Sequence, residues 1–508
     1  MDRGGRGRYV SFEPGLAGGT NGRPGDGPVG KTAGGSSDME IKKAPVGLAV
    51  FALVGPSFVW AAEYIGSGEV VIATRTGAIL GTAVLWAVVF GIFLKFWIGM
   101  SGARYTVCTG EGMIDMFDRI GGPRHWVVWL VLVVQTVSGI LSIGTLASMA
   151  GAFAHSLVPQ VGPRVFGWLA AMFAVSVVWK GAFNILKIVM SFFVLIIVIG
   201  ALYIAAHVFP SFSELLAGFA CRVPAVPDWA KAIEGVSPSS WDEILPVLGW
   251  GAGGFASQVW YSYWVLGAGY GAAAGRGYGR AADVASLSKM SRPTAERIKG
   301  WCRVLYADSS LAMVVGIVVT GAFLISGAGI LGVERLAPNN DDMADTLSKV
   351  FSMRWNVLGG FIFKLSGAIA MVSTLVGQLA GWPRMLADSC RICIPGFNRR
   401  FAWKTQFRMF LVFFFCASMM VVFVLGLRPM FLVKLSAILE GVLLTAFQAI
   451  CVAVGLYVVM PKMLSKEAYA VLRPSPIFAA GLIVTFLAFG YICVVHIPPA
   501  LVQLLGGR

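Results

Sequence analysis

Charge is scarce in this chain. Only 13% of its 508 residues are Asp, Glu, Lys or Arg, where a soluble domain carries roughly 25%. With 57% hydrophobic residues and a mean hydropathy of +0.77, that shortage excludes an ordinary soluble protein. Histidine is scarcer still: His125, His155, His207 and His496 are scattered and form no zinc constellation. The eight cysteines make no disulfide framework. Cys416, Cys451 and Cys493 lie in apolar runs as small hydrophobes, and Cys390-x-x-Cys393 has no second pair or nearby His to make it a metal site. No catalytic triad is present. Gly267–Gly271 and Gly275–Gly279 lack the Gly-Lys-Ser/Thr ending and the preceding strand of a phosphate loop. No enzyme and no cofactor is expected. The net charge of +15 raises nucleic acid as a partner. Basic residues, however, also collect in the cytoplasmic loops of membrane proteins, so the expected partner is the lipid bilayer.

What the chain has is apolar length. Crossing a bilayer as a helix takes roughly 20 apolar residues, and about 11 spans qualify by run length. They lie near 46–80 (broken), 82–101, 126–151, 162–179, 183–208, 244–268 (broken), 301–326, 357–385, 407–427, 431–460 and 476–497. Nothing shows the alternation of a membrane β-barrel. The fold class is an all-α polytopic membrane protein. Residues 1–44 are Gly-rich and basic and read as a disordered cytoplasmic tail. Residues 209–243 form a loop expected outside, and 461–508 hold the last span and the C-terminus.

Loop charges alternate. The loop after the sixth span carries Arg276, Arg280, Lys289, Arg292, Arg297 and Lys299, and the loop after the eighth carries Arg391, Arg399, Arg400 and Lys404. The loops after the fifth and seventh spans are acidic, with Glu214, Asp228, Asp242, Glu243, Glu334, Asp342 and Asp345 among their residues. This pattern predicts a multi-pass protein of the plasma (inner) membrane with its N-terminus inside and its C-terminus outside.

Two spans are interrupted. In the first, Gly66-Ser67-Gly68-Glu69 falls between the apolar runs Val46–Ile65 and Val70–Leu80. A charge near mid-membrane costs about 2.5–3.5 kcal/mol on insertion scales. Broken helix is tolerated only where it lines a cavity or is buried in protein. In the sixth span, Gly249, Gly251, Gly253 and Gly254 disfavour continuous helix by roughly 1 kcal/mol each relative to Ala. They equally suit close helix packing. The breaks open two successive sets of five spans, 45–208 and 244–460. An odd number per set inverts one relative to the other, and paired interruptions in inverted halves point to a transporter site.

The residues that carry these breaks resemble a family. Gly55-Pro56-Ser57-Phe58, Gly66-Ser67-Gly68-Glu69 and Thr76-Gly77-Ala78 are similar, without a gap, to the first span of the Nramp divalent-metal transporters, whose pattern is G-P-G-(F/L), D-P-G-N, (T/Q)-A-G-A. Leu85-Trp86, Arg104–Glu111 and Ser373–Gly381 look like the family's second and eighth spans. The resemblance implies a leucine-transporter-like inverted repeat with discontinuous spans 1 and 6, working as a secondary-active transporter by alternating access. The departures fall at the site. The family's metal-binding Asp becomes Gly66, its Pro becomes Ser67 and its metal-binding Asn becomes Glu69. Its M-P-H aligns with Phe255-Ala256-Ser257, and span 3 has Gln135 and no acid.

The altered donors are Ser67, Glu69, Ser257, Gln258 and freed backbone carbonyls. An all-oxygen set suits Mg²⁺, Mn²⁺ or Ca²⁺ with Glu69 as the metal ligand, and Gly66 and Ser67 are expected to open space for a partly hydrated ion. The alternative for Glu69 is a structural carboxylate accepting backbone N–H groups at the start of a half-helix. Glu440, mid-depth in span 10, is either a second site carboxylate or the partner of Lys434 or Lys364. Glu63 is a vestibule or proton-accepting acid, or the partner of a basic residue. Arg75, Lys95 and Lys187 are expected to snorkel or sit near span ends. Phe255, with Trp250, Trp260, Tyr261 and Tyr263, equally allows a small organic or anionic solute, and an ion channel or a non-transporting membrane protein is a further alternative.

Overall fold

A computed structural model describes residues 41–506 apart from 48, 51–55, 58–59, 61–65, 181–182, 234, 341 and 426–427; for 180, 183–191, 193 and 503–506 it describes the backbone alone. Residues 1–40 of the tail expected at 1–44, Glu63, and the side chain of Lys187 lie outside the described residues. Every described element is helical. Among the described residues seven helices are long and apolar enough to cross a membrane, including Ser67–Thr109, Trp126–Leu157, Arg292–Gly332 and Met343–Cys393. Spans 4 and 5 contribute the shorter apolar helices Pro163–Trp179 and Val194–His207, and span 6 is divided into Trp241–Trp250 and Phe255–Ala268. Side chains that leave the packed interior are themselves apolar: Val133, Phe423 and Leu487 are 61%, 59% and 61% exposed. Such an outer face suits hydrocarbon and not water.

The spans near the breaks approach each other through glycine. A Cβ on Gly77 of span 1 would lie 2.0 Å from the carbonyl oxygen of Leu324 in span 7, and one on Gly327 would lie 2.0 Å from that of Thr74. The two helices therefore cross backbone to backbone in both directions. Spans 6 and 10 do the same, because a Cβ on Gly249 would meet Ala437 O at 2.3 Å and one on Gly441 would meet Gly249 O at 1.9 Å. Small residues at helix contacts are how membrane proteins gain packing without a hydrophobic drive between helices. Gly249 thus serves close packing, the second of the two roles its sequence context allowed.

Three departures from straight α-helix matter to the site. Span 1 resumes as Ser67–Ala73, wound with i→i+5 hydrogen bonds, before becoming α-helix at Thr74–Leu80. Span 10 runs as Pro429–Ser436, an i→i+5 stretch at Ala437–Leu443, and α-helix again at Leu444–Val454. Such wide turns are rare and concentrate at functional sites. The long helix Met343–Cys393 bends at Trp355 and Asn356, where Asn356 has φ 54°. Its first part is a connecting helix and its second is span 8. At the N-terminal end, Ile41 is buried and its carbonyl accepts from Arg297 at 3.1 Å, so the chain is anchored to span 7 from inside the stretch expected to be tail.

Gly441→Ala and Gly77→Ala should each lower stability by about 1–3 kcal/mol or more through overpacking against backbone that cannot yield. Gly121→Ala, where an added Cβ meets nothing within 4 Å, should leave thermal unfolding of the detergent-solubilised protein unchanged. Equal melting temperatures for all three would refute the glycine-crossing account.

Candidate functional site

A helix that stops inside the membrane exposes unpaired N–H groups at the start of its continuation and unpaired carbonyls at the end of what precedes it. In span 1 the chain passes through Gly66 (φ −153°, ψ −124°) and re-enters helix at Ser67. Glu69 folds back so that its Oε2 accepts the Gly66 N–H at 3.3 Å, and the residue is fully buried. In span 6 the turn Gly251-Ala252-Gly253 is closed by the Gly253 N–H donating to Trp250 O at 2.7 Å. Gly253 takes φ 71°, and Ala252, a residue with a Cβ, takes φ 59°. That conformation costs an L-residue about 1–2 kcal/mol.

The continuation of span 6 is capped from another helix. Glu440 Oε1 accepts the Ala256 N–H at 2.5 Å, and its Oε2 accepts Gln135 Nε2 at 3.0 Å. A Cβ on Gly254 would lie 2.4 Å from Glu440 Cγ, so this glycine lets the carboxylate reach the helix start. The wide turn of span 10 is the segment that carries Glu440 there. A cation closes the other end of the break. Lys95 of span 2 is 1% exposed, and its Nζ donates to Gly249 O and, at 3.0 Å, to Gly253 O. Gly91, Ile92, Lys95 and Gly99 form the face of span 2 that meets span 6: Gly91 lies against Leu248, Ile92 against Gly251, and Gly99 under Gln258.

The remaining predicted donors are gathered here with different roles. Ser67 is buried. Ser257 Oγ accepts Trp60 Nε1 at 3.0 Å. Gln258 Nε2 donates to Ala252 O at 2.8 Å, and its Oε1 is buried with no hydrogen-bond partner among the described residues. Phe255 packs its ring on Phe117, 5.9 Å between centroids, and its carbonyl accepts from Gln448 at 3.0 Å. The aromatics of span 6 are committed to protein: Tyr261 to Asp308 at 2.9 Å, Tyr263 to Asp388 at 2.7 Å, Trp250 to Val433 O at 3.2 Å, and Trp260 edge-on to Trp382.

Several expectations are corrected. Gly66 does not open space, since a Cβ there would meet Thr374 Oγ1 of span 8 at 2.5 Å. Thr374, whose buried Oγ1 has no hydrogen-bond partner among the described residues, is an oxygen donor that the sequence reading missed. Glu440 pairs with neither Lys434 nor Lys364, because Lys434 is bound to Glu243 at 2.6 Å and Lys364 to Asp345. Arg75 and Lys95 do not snorkel; each is 1% exposed with its polar groups bound inside. Depth was the available signal for Lys95, which stands midway along Leu85–Thr109 among Phe93, Leu94, Phe96 and Trp97. Among the described residues no three His, Cys, Asp or Glu side chains gather, so a bound cation would depend on neutral oxygens beside Glu69 and Glu440.

Polar ties flank the site. Glu243, at the start of span 6, takes Arg75 Nε at 3.0 Å and Nη2 at 3.1 Å from span 1, and Lys434 Nζ from span 10. Arg75 also donates to Pro338 O. On the other half of both broken spans, Asp308 of span 7 accepts Ser57 N–H at 3.1 Å and Oγ–H at 2.8 Å, together with Tyr261 O–H. Trp60 stacks on Tyr261 at 4.6 Å. Both halves of spans 1 and 6 are thus held, and the acids between them are closed to solvent.

Residues 57–237 match the model of the family described as natural resistance-associated macrophage protein-like, Nramp. The divalent metal cation transporter MntH of Yersinia enterocolitica is 32% identical over 79 residues, 15% of this chain and 19% of that protein. An uncharacterized protein of Pasteurella multocida is 24% identical over 136 residues, 27% of this chain and 31% of the relative. The chain matches no more than 31% of the length of either of these curated relatives. A crystal structure of the Eremococcus coleocola manganese transporter, in complex with an aromatic bis-isothiourea substituted compound, superposes with a TM-score of 0.61 at 13% identity, covering 92% of this chain and 91% of that one. The likeness at that identity is one of fold: the broken-helix, inverted-repeat architecture expected from the sequence.

Glu243→Gln should be strongly destabilising, by about 3–5 kcal/mol, since it strips the shared counter-charge from two buried cations. Glu296→Gln, in the exposed pair with Arg292, should cost under about 1 kcal/mol. Thermal unfolding of the two purified variants decides it, and similar losses would sink the account of the buried tie.

Proposed function

We propose that the chain, whose residues 57–237 match the Nramp family, is a multi-pass, secondary-active transporter of a hard divalent cation, working by alternating access. One observation carries the reading. Two buried carboxylates, Glu69 on span 1 and Glu440 on span 10, cap the starts of the second halves of the two broken spans. Burying two acids in a membrane interior is costly, and such residues mark ion and substrate paths. The neutral side-chain oxygens at hand are those of Gln258, Thr374, Ser67 and Ser257. All are hard donors, which favours Mg²⁺, Mn²⁺ or Ca²⁺ over softer metals.

Alternating access is supported by the placement of the ties. Glu243 holds one half of spans 1 and 6, and Asp308 holds the other. Releasing either set would expose the acids on one side alone. The N-terminus is assigned to the cytoplasm and the membrane is taken as the plasma (inner) membrane on loop charge. A second reading, a small anionic or organic solute, draws on the Lys95 ammonium at the break. The engagement of the rings with each other, Trp60 stacked on Tyr261 and Trp260 edge-on to Trp382, counts against an aromatic cage for such a ligand.

Proteoliposomes should take up Mg²⁺, Mn²⁺ or Ca²⁺ saturably, and Glu69→Gln or Glu440→Gln should reduce uptake by about tenfold or more, as loss of a buried charged contact implies. If none of the three ions is transported or bound, the cation reading falls. Saturable uptake of an anion or organic solute would then install the second.

A further inference from the structure

The break of span 6 already holds a positive charge. Lys95 is buried, its Nζ binds two carbonyl oxygens that the interrupted helix releases, and the ring of Phe489 in span 11 lies 5.7 Å from it. This is how a bound cation would be held: backbone oxygens as ligands, the Glu440 carboxylate on the Ala256 N–H just beyond Gly253, an aromatic face behind. Here the cation is tethered to span 2. A lysine on a span facing lipid would instead extend toward the interface.

We propose that Lys95 is a built-in cation that occupies one charge position at the paired breaks and thereby sets the charge the site accepts. The inference rests on the cation-transport reading. Glu69 and Glu440 bring two negative charges, and Lys95 offsets one of them. A divalent ion therefore enters a site whose carboxylates are half-compensated, and a singly charged cation competes with it. Without the ammonium, both carboxylates are available to the incoming ion. Lys95 is thus a specificity-determining residue, acting by charge and by holding Gly249 and Gly253 carbonyls away from substrate.

The test uses the purified full-length protein and titration calorimetry with Mg²⁺, Mn²⁺ and Ca²⁺, each with and without excess Na⁺. Lys95→Gln keeps a donor for the two carbonyls and removes the charge; Lys95→Met removes both. Either should bind divalent ions about tenfold or more tightly than wild type, with Na⁺ competing less well, because a like charge has left a low-dielectric site. Lys95→Arg should retain the wild-type affinities. Folded neutral variants with unchanged or weaker divalent affinity overturn the proposal and leave Lys95 as a helix cap. Failure of both neutral variants to fold, while Lys95→Arg folds, overturns it in the same way. A wild type that transports no cation defeats the parent reading alone if Lys95→Gln gains divalent binding.

Discussion

Lipid cannot satisfy the N–H and C=O groups of a helix that stops halfway across a membrane, so a broken span must find its partners inside the protein. This requirement organises the centre of the molecule. The start of the second half of span 1 is met by Glu69, the start of the second half of span 6 by Glu440, and the end of its first half by Lys95. Each ionic group has the sign that the helix terminus favours. Capping and binding are therefore not separate properties here. The groups that stabilise the breaks are the same ones whose charge an incoming ion would meet.

The surrounding helices are arranged so that those groups can arrive. Glu440 reaches span 6 because Gly254 has no Cβ, and Lys95 reaches it along a face of span 2 lined by Gly91 and Gly99. Further out, Glu243 and Asp308 join the two halves of the broken spans to spans 10 and 7. Hydrophobic burial alone would not specify these junctions, since lipid is as apolar as the packed side chains. Direction comes from the glycine crossings and the buried polar contacts.

Much of this was legible in the sequence, and the reasons differ by residue. The spans and their breaks were readable because apolar run length and glycine clustering are local. Glu69 and Glu440 stood out as acids within apolar runs. Lys95 and Arg75 suit snorkelling or a place near a span end because a long side chain can reach the interface, and only the three-dimensional neighbours decide whether it does. In the sequence Gln135 marks the acid it replaces and not the carboxylate it binds. Gly66 suggested free space, and the group that fills it, Thr374, comes from span 8. Contacts between distant segments leave no mark on the periodicity of either one. The family likeness placed the breaks well, but its motif named residues this chain has exchanged.

The wide turn at Ala437–Leu443 has a consequence for how the chain can vary. An α-helix advances by about 100° per residue, so an inserted residue shifts the angular register of everything beyond it. In span 10 that offset separates two addresses on one rod: Glu440 looks inward, while Leu443 and Ile450 are each 42% exposed on the outer surface. The lipid-facing residues can drift with membrane composition without turning the carboxylate. Span 10 behaves as a keyed shaft, indexed near its middle and again at Gly455–Val459, on which the inward and the oily faces are set independently.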